Sequence, residues 1–342
     1  LSIGQPDYDV PDEVKEAAIH AIRIGHNRYT LTQGLPTLRH ALIERLKRDK
    51  NVHTEHLMVT AGVSAALMLA ILTLIDRGDE VIIPDPYFVM YKHLVHLAEG
   101  EPVFVDTYPD FTVTAERLRP HITSRTRLIL LNSPANPTGA VIPPDEMRKI
   151  VALAKHHNIP ILSDEIYDCF SYSSDYLSPA AIYPNTILTG GFSKSHAMTG
   201  WRLAYITAPA EILDKMTMLQ QYSIVCAPSF AQVAAVKALD VDMSDYTEDY
   251  REKRDRIYSG LVSAGYEVVK PLGAFYIFPK CPWGDSQSFV AEAIHNKLLI
   301  IPGDVFSERN THFRISYAAT DETIDKGIEI LARLKKQGGP KA

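Results

Sequence analysis

Short apolar runs rich in β-branched residues alternate along the chain with stretches whose apolar positions recur at helical spacing. The runs predict strands at Leu57–Ala61, Val81–Ile83, Pro102–Val105, Leu128–Leu131, Ile159–Leu162, Thr186–Leu188 and Leu203–Thr207. Helical periodicity predicts Ala65–Leu74, Pro144–His156 and Glu211–Gln221 between them. Strands without strict polar alternation, separated by helices, belong to a largely parallel sheet covered on both faces. Turn formers fall at the joints, at Asp76–Asp79, Pro134–Gly139 and Gly190–Gly191. The class is therefore α/β.

After about residue 240 the texture changes. The stretch "MSDYTEDYREKRDRIYSGLVSAG" predicts a long helix whose charges form a solvated face. Strand-like "GAFYIFP" and "HFRISYA" follow, each with a helix beside it. That order is α+β and predicts a second, smaller domain. No internal repeat or low-complexity stretch interrupts the chain.

Composition narrows the functional classes. The 342 residues are 46% hydrophobic and 22% charged, as in soluble globular proteins. A net charge of −6 offers no basic surface for nucleic acid or an anionic membrane. The longest apolar run, Ala65–Ile75, falls short of the roughly 20 residues that span a bilayer and reads as a buried helix. Cys169, Cys226 and Cys281 match neither a disulfide framework nor a zinc pattern, so reduced thiols and a cytoplasmic location are expected. The opening "LSIGQPDY" reads as the middle of a motif, with residues expected upstream.

Open α/β sheets bind ligands beyond the carboxyl ends of their strands. After the first predicted strand comes "AGVSAA", where the free N–H groups of Val63 and Ser64 open a helix and suit a phosphate. Taken alone it is a common glycine turn. "NSPANPTG" holds Asn136 between two prolines, which fixes an amide or simply builds a stiff loop. "SDEIY" puts Asp164 after a central strand, where an ionised carboxylate needs a cationic partner, with Tyr167 three residues on. Lys194 and Arg202 follow in "GGFSKSHAMTGWRLAY". A phosphate cradle, a buried anion, a phenol, an amide and an amine are together what pyridoxal phosphate requires.

Two further features carry less. His93 and His96 have a spacing compatible with metal ligands but lack a third, so surface histidines are expected and no metal. "GFSKS" lacks the second glycine of a nucleophile elbow.

The series "NSPANPTG … SDEIY … GGFSKSHAMTGWRLAY … HFRISYAA" resembles the class I/II aminotransferases, the pyridoxal phosphate enzymes of fold type I, over nearly the whole chain. The resemblance implies a seven-stranded large domain at 30–238, and a small domain made of 1–29 and 239–342. It implies that Lys194 is the Schiff-base lysine and that Asp164 pairs with the pyridine nitrogen. Tyr167 and Asn136 would bond the ring oxygen. Ser193 and Arg202 would hold the phosphate together with the backbone of Gly62, Val63 and Ser64. A ring from "DPYFVMY" would lie against the cofactor, Phe88 being favoured over Tyr87. Arg314 would grip the substrate α-carboxylate, with Asn136 and the backbone around Ile3–Gly4 closing the site. Tyr29 would reach the neighbouring subunit's phosphate, which makes the expected unit a homodimer. The implied reaction moves an amino group between an L-amino acid and a 2-oxo acid by a ping-pong route.

Some positions depart from the pattern: His196, Ala204, and the segment "IPGDVFSERN" with Asp304, Val305 and Ser307. That segment lies by the substrate in relatives, so the choice of amino acid stays open. Two alternatives share much of the pattern. One is a carbon–sulfur β-lyase using the same cofactor residues, the other a sensor domain of a transcriptional regulator.

Overall fold

A computed structural model of the protein describes residues 1–172 and 175–339. Seven strands form the principal sheet: β1 (Leu57–Thr60), β2 (Glu80–Asp85), β3 (Glu101–Asp106), β4 (Thr126–Asn132), β5 (Ile161–Asp164), β6 (Thr186–Gly191) and β7 (Ala204–Thr207). Their order is β1-β7-β6-β5-β4-β2-β3. Neighbours from β3 to β6 pair in parallel, whereas β7 runs antiparallel to both β6 and β1. All seven expected strands are present, and the chain has the α/β fold of type I.

The central strands are buried on both faces. Every residue of β1 and β5 is buried, which is why their sequences lack polar alternation. One face packs against helices Val63–Leu74, Met90–Leu97 and Ala210–Ser223, through Leu67, Ile71, Val95 and Met216. The other packs against helix Pro144–His157, through Met147, Ile150 and Ala154. Burying each of these side chains other than Ala154 contributes about 1.5–3 kcal/mol.

β5 starts two residues later than the apolar run suggests. Asn158, at φ 53°, turns the helix off in the left-handed region, and the Ile159 N–H closes the last turn on the Ala154 carbonyl. The strand then runs on through Asp164, which is its last residue rather than the residue after it.

The C-terminal part builds a three-stranded antiparallel sheet from β8 (Tyr276–Ile277), β9 (Ile301–Pro302) and β10 (Phe313–Ser316), in the order β8-β10-β9. Helices Ser244–Ser263, Ser286–His295 and Asp321–Gln337 pack on it through a core containing Tyr250, Phe275, Phe289, Phe313 and Leu331. The charge-rich helix is less solvated than its sequence suggests. Lys253 and Arg254 are buried, the first paired with Asp7 at 2.8 Å and the second stacked 4.8 Å over the Tyr172 ring.

Residues 1–9 run as an extended segment between the two sheets. The Ser316 N–H donates to the Leu1 carbonyl, and the Tyr250 hydroxyl donates to Asp7 at 2.8 Å. The Tyr8 hydroxyl donates to the carbonyls of Lys194 and Ser195. Asp7 thus pins the segment to the long charged helix. Asp7→Ala is expected to lower stability by about 1–3 kcal/mol. A urea titration reads this as a lower midpoint at unchanged slope.

Candidate active site

The carboxyl ends of β4 and β5 and the loops after β1 and β6 converge on a cavity of ≈ 430 Å³, within the range of small-molecule sites. Ser193, Lys194, Asp164, Asn136, Tyr167, Arg202, Arg314, Phe88, Val63, Ser64 and Gly4 all line it. Residues separated by up to 310 positions in the chain are therefore brought to one space.

Asp164 is 2% exposed. The Tyr91 hydroxyl donates to it at 2.8 Å, and the Ile166 N–H donates to its other oxygen at 3.3 Å. Burial raises its pKa to about 6 against those two donors; Glu165 pushes the same way as burial, and Lys194 opposes it. An ordinary carboxylate here would stay ionised only if a cation faced it. A protonated ring nitrogen in the cavity would supply that cation.

Lys194 stands in the short helix Phe192–Ser195 that follows β6. Its ammonium donates to the Gly4 carbonyl and lies 5.9 Å from the centre of the Tyr167 ring. Burial and the nearby charges of Arg314 and Arg202 lower its pKa to about 8, with Asp164 opposing. The amine is thus held close to its neutral, nucleophilic form.

Arg314 ends the reach of β10 into the cavity. It donates to the Asn136 side-chain oxygen at 3.0 Å and to the Ser2 carbonyl at 2.8 Å. Its guanidinium is sandwiched between the Tyr276 ring at 4.6 Å and the Phe306 ring at 4.4 Å. Its Nε is buried without a partner, a donor left over for a ligand. Because Asn136 accepts from Arg314 through its oxygen, its NH₂ group remains free to donate.

The end of the cavity beside Gly62 is built on backbone. Gly62, at φ 84°, caps helix Val63–Leu74, and its carbonyl accepts from Ala65 and Ala66, leaving the Val63 and Ser64 N–H groups unpaired within the helix. A Cβ on Gly62 would come within 2.4 Å of the Arg202 guanidinium, so glycine lets Arg202 approach the helix start. A helix N-terminus, an arginine and the Ser193 hydroxyl together suit a dianion.

The donor set fits pyridoxal phosphate on these observations: a phosphate cradle that a Cβ would fill, a buried carboxylate, a lysine depressed towards neutrality, and a spare guanidinium N–H.

Phe88 lines the cavity and meets Tyr91 edge-on at 5.6 Å. Tyr87 does not line it; it stacks on Phe104 at 4.8 Å and donates to Glu308. Tyr29 is not brought to the cavity of its own chain and is 84% exposed. Val305 lines the wall, whereas Asp304 turns away to accept from Ser286 and Gln287, and Ser307 bonds Tyr108.

Several lining residues were not singled out from sequence. Tyr91 lies in the first turn of helix Met90–Leu97 and its N–H donates to the Phe88 carbonyl, a turn that brings both rings to the cavity. Asn132, the last residue of β4, donates to the Asp164 carbonyl from the adjacent register position. The Tyr276 hydroxyl shares a hydrogen bond of 2.9 Å with that of Tyr167, a contact 109 residues long that leaves no local signal.

His196, unexplained by sequence, faces away from the cavity. It is 1% exposed, its Nδ1 lies 2.7 Å from the Ser195 hydroxyl, and burial lowers its pKa to about 4. It packs against Phe192 and supports the lysine loop from behind. Ala204 pairs with Gly191, where a Cβ would meet the Ala204 Cβ at 2.9 Å, so glycine at 191 accommodates the larger residue at 204. His93 and His96 are exposed. Among the described residues no group of three or more His, Cys, Asp or Glu could hold a metal.

Fold and cavity together define a pyridoxal phosphate enzyme of fold type I, and comparison with known proteins narrows the class. The family model for aminotransferase class I and II matches residues 1–331. The probable aspartate aminotransferase of Methanocaldococcus jannaschii is 40% identical, over 98% of this chain and 92% of that protein. The aromatic aminotransferase from Pyrococcus horikoshii superposes with a TM-score of 0.96 at 34% identity, covering 98% of this chain and 95% of that one. A double mutant of Thermus thermophilus aspartate aminotransferase superposes with a TM-score of 0.95 at 36% identity, covering 98% and 91%. The chain belongs to the class I and II aminotransferases. It is a pyridoxal phosphate-dependent transaminase acting on amino acids and 2-oxo acids.

In the apoprotein, labelling of Lys194 by an amine-directed reagent should rise with a midpoint near pH 8, about two units below an ordinary lysine. Below that pH the ammonium form dominates and labelling falls. Mass spectrometry of the labelled peptide reads the midpoint, and a value near 10 would contradict the geometry.

Proposed function

We propose that Lys194 is the residue that holds the cofactor covalently and then moves the substrate's α-proton. The observation that carries this reading is the depressed, buried amine placed between Asp164, Tyr167 and Arg314. When bound, pyridoxal phosphate supplies a carbonyl carbon for the amine and a conjugated ring that accepts electrons from the α-carbon.

The chain's own groups do the rest. Asp164 keeps a proton on the ring nitrogen, and Tyr91 and the Ile166 N–H hold that carboxylate in place. The Tyr167 hydroxyl and the Asn136 amide would bond the ring oxygen. Val63, Ser64, Ser193 and Arg202 would anchor the phosphate. Phe88 would lie against the ring. Arg314 pairs with the substrate α-carboxylate through its fork, and Asn136 links that arginine to the cofactor side. Gly4 closes the site, its carbonyl accepting from Lys194. The Lys194 amine would take the α-proton of the substrate, and a pKa near 8 suits it to act as base and as acid at neutral pH.

The active unit in this reading is a homodimer, supported by Tyr29 at 84% exposure on a segment with exposed Ile24 and Leu31. Three unpaired thiols support a cytoplasmic location, and among the described residues no helix is long and apolar enough to cross a membrane. The two sheets support a large domain at 30–238 and a small one holding 239–342, whereas residues 1–29, given to the small domain from sequence, put Val14 and Ala18 of helix Asp12–Arg23 into one core with Leu38, Leu42 and Ala234 of the large one; residues 173–174 and 340–342 lie outside the described residues. The names of the relatives make aspartate and aromatic amino acids the first donors to test, with 2-oxoglutarate as acceptor.

Lys194→Ala should lower transfer from the best donor by roughly 10³-fold or more while the thermal midpoint changes little. Measured with the variant purified free of host transaminases, retained transfer would overturn the assignment. Sedimentation should give twice the 38.2 kDa chain mass.

A further inference from the structure

Behind the loop that carries Asp164 and Tyr167 lies a second set of buried charges that the reaction does not touch. Asp164 and Glu165 leave the end of β5 in opposite directions. Asp164 faces the cavity, while Glu165 is fully buried on the far side. One oxygen of Glu165 accepts from Ser163 at 3.0 Å and from Ser178 at 2.6 Å. The other accepts from the ammonium of Lys50 at 2.6 Å. Lys50 also pairs with Asp168 at 2.5 Å, and its ammonium lies 5.8 Å from the centre of the Tyr176 ring.

Lys50 is the last residue of helix Pro36–Lys50, an element that contributes nothing to the cavity wall. Its ammonium bridges the residues that directly follow Asp164 and Tyr167. The turn between them is short, with the Asp168 N–H donating to the Glu165 carbonyl and the Glu165 N–H to Thr189 of β6. Fixing Glu165 and Asp168 from behind leaves Asp164 and Tyr167 little freedom in front.

We infer that Lys50 is a positioning residue: by clamping Glu165 and Asp168 it aims Asp164 and Tyr167 at the cofactor. The inference rests on the roles given to those two residues above. Burying an ion pair is a poor way to gain stability, because desolvation offsets the attraction. A buried lysine bridging two carboxylates instead confers directional constraint, which an active site uses. A cavity of ≈ 310 Å³ lined by Lys50, Asp168, Tyr176, His196 and Tyr205 lies beside the clamp, with room for a larger cation.

Three variants test it, read out by titrating apoprotein with pyridoxal phosphate and by separating kcat from KM. Lys50→Met is expected to weaken cofactor binding by about tenfold or more and lower kcat by up to about 10²-fold. KM for the donor should stay near its original value, since Arg314 is untouched. Lys50→Arg should restore most of both losses. Lys50→Met/Glu165→Gln removes the two most buried charges of the clamp and leaves only the partly exposed Asp168, which keeps the fold measurable should the single variant unfold. It still lacks the clamp and should keep the weak binding and low kcat. Normal binding and turnover in the double variant would overturn the inference, as would a loss in Lys50→Met confined to thermal stability. Failure of the unaltered apoprotein to bind the cofactor through Lys194 would instead overturn the reading of the site itself.

Discussion

A carboxylate at the buried end of a central parallel strand is the constraint on which the rest depends. Asp164 sits where water is excluded and the sheet is covered on both faces, so its charge is costly unless matched. The protein meets that cost with groups from several elements: a tyrosine from the helix after β2, a backbone N–H of its own turn, and a lysine from the loop after β6. A cationic ring nitrogen held in the cavity would complete the match. The same burial that lifts the Asp164 pKa lowers that of Lys194, so one low-dielectric space prepares both ends of the chemistry.

The second constraint is closure. The cavity is formed between the strand ends of the principal sheet and the three-stranded sheet that carries Arg314 and Tyr276. The N-terminal segment bridges the two, taking hydrogen bonds from Arg314 and Lys194 on Ser2 and Gly4 and fastening itself through Asp7. Arg314, Asn136 and Lys194 are thereby held relative to one another by a few short contacts. Stacking of the Arg314 guanidinium between Tyr276 and Phe306 adds orientation without consuming its Nε.

Much of this was legible in the sequence because it is local. Strands buried on both faces announce themselves as unbroken apolar runs, and glycine or proline turns mark where they end. Asp164 ends such a strand, Asn136 and Lys194 stand a few residues past two others, and Arg202 lies just before β7. The preference for Phe88 over Tyr87 came from the family resemblance, and Phe88 is the one of the two that lines the cavity. Long-range geometry was not legible. Nothing near β7 says that it runs antiparallel, since its apolar residues suit either direction. Tyr276, Tyr91 and Lys50 act through partners 73 to 115 residues away, and a lysine at the end of a charged helix looks solvated until its carboxylates are in view. His196 stood out in sequence only as a departure from the family pattern, and the short helix turns it to the side away from the cavity.

The most direct test of the account is to load the apoprotein with pyridoxal phosphate, reduce it with borohydride, and locate the modified peptide by mass spectrometry. Reduction makes any lysine–cofactor linkage permanent. The account predicts a phosphopyridoxyl group on the peptide that carries Lys194, in about one copy per chain. A group on any other lysine, or none at all in protein that has bound the cofactor, would contradict it.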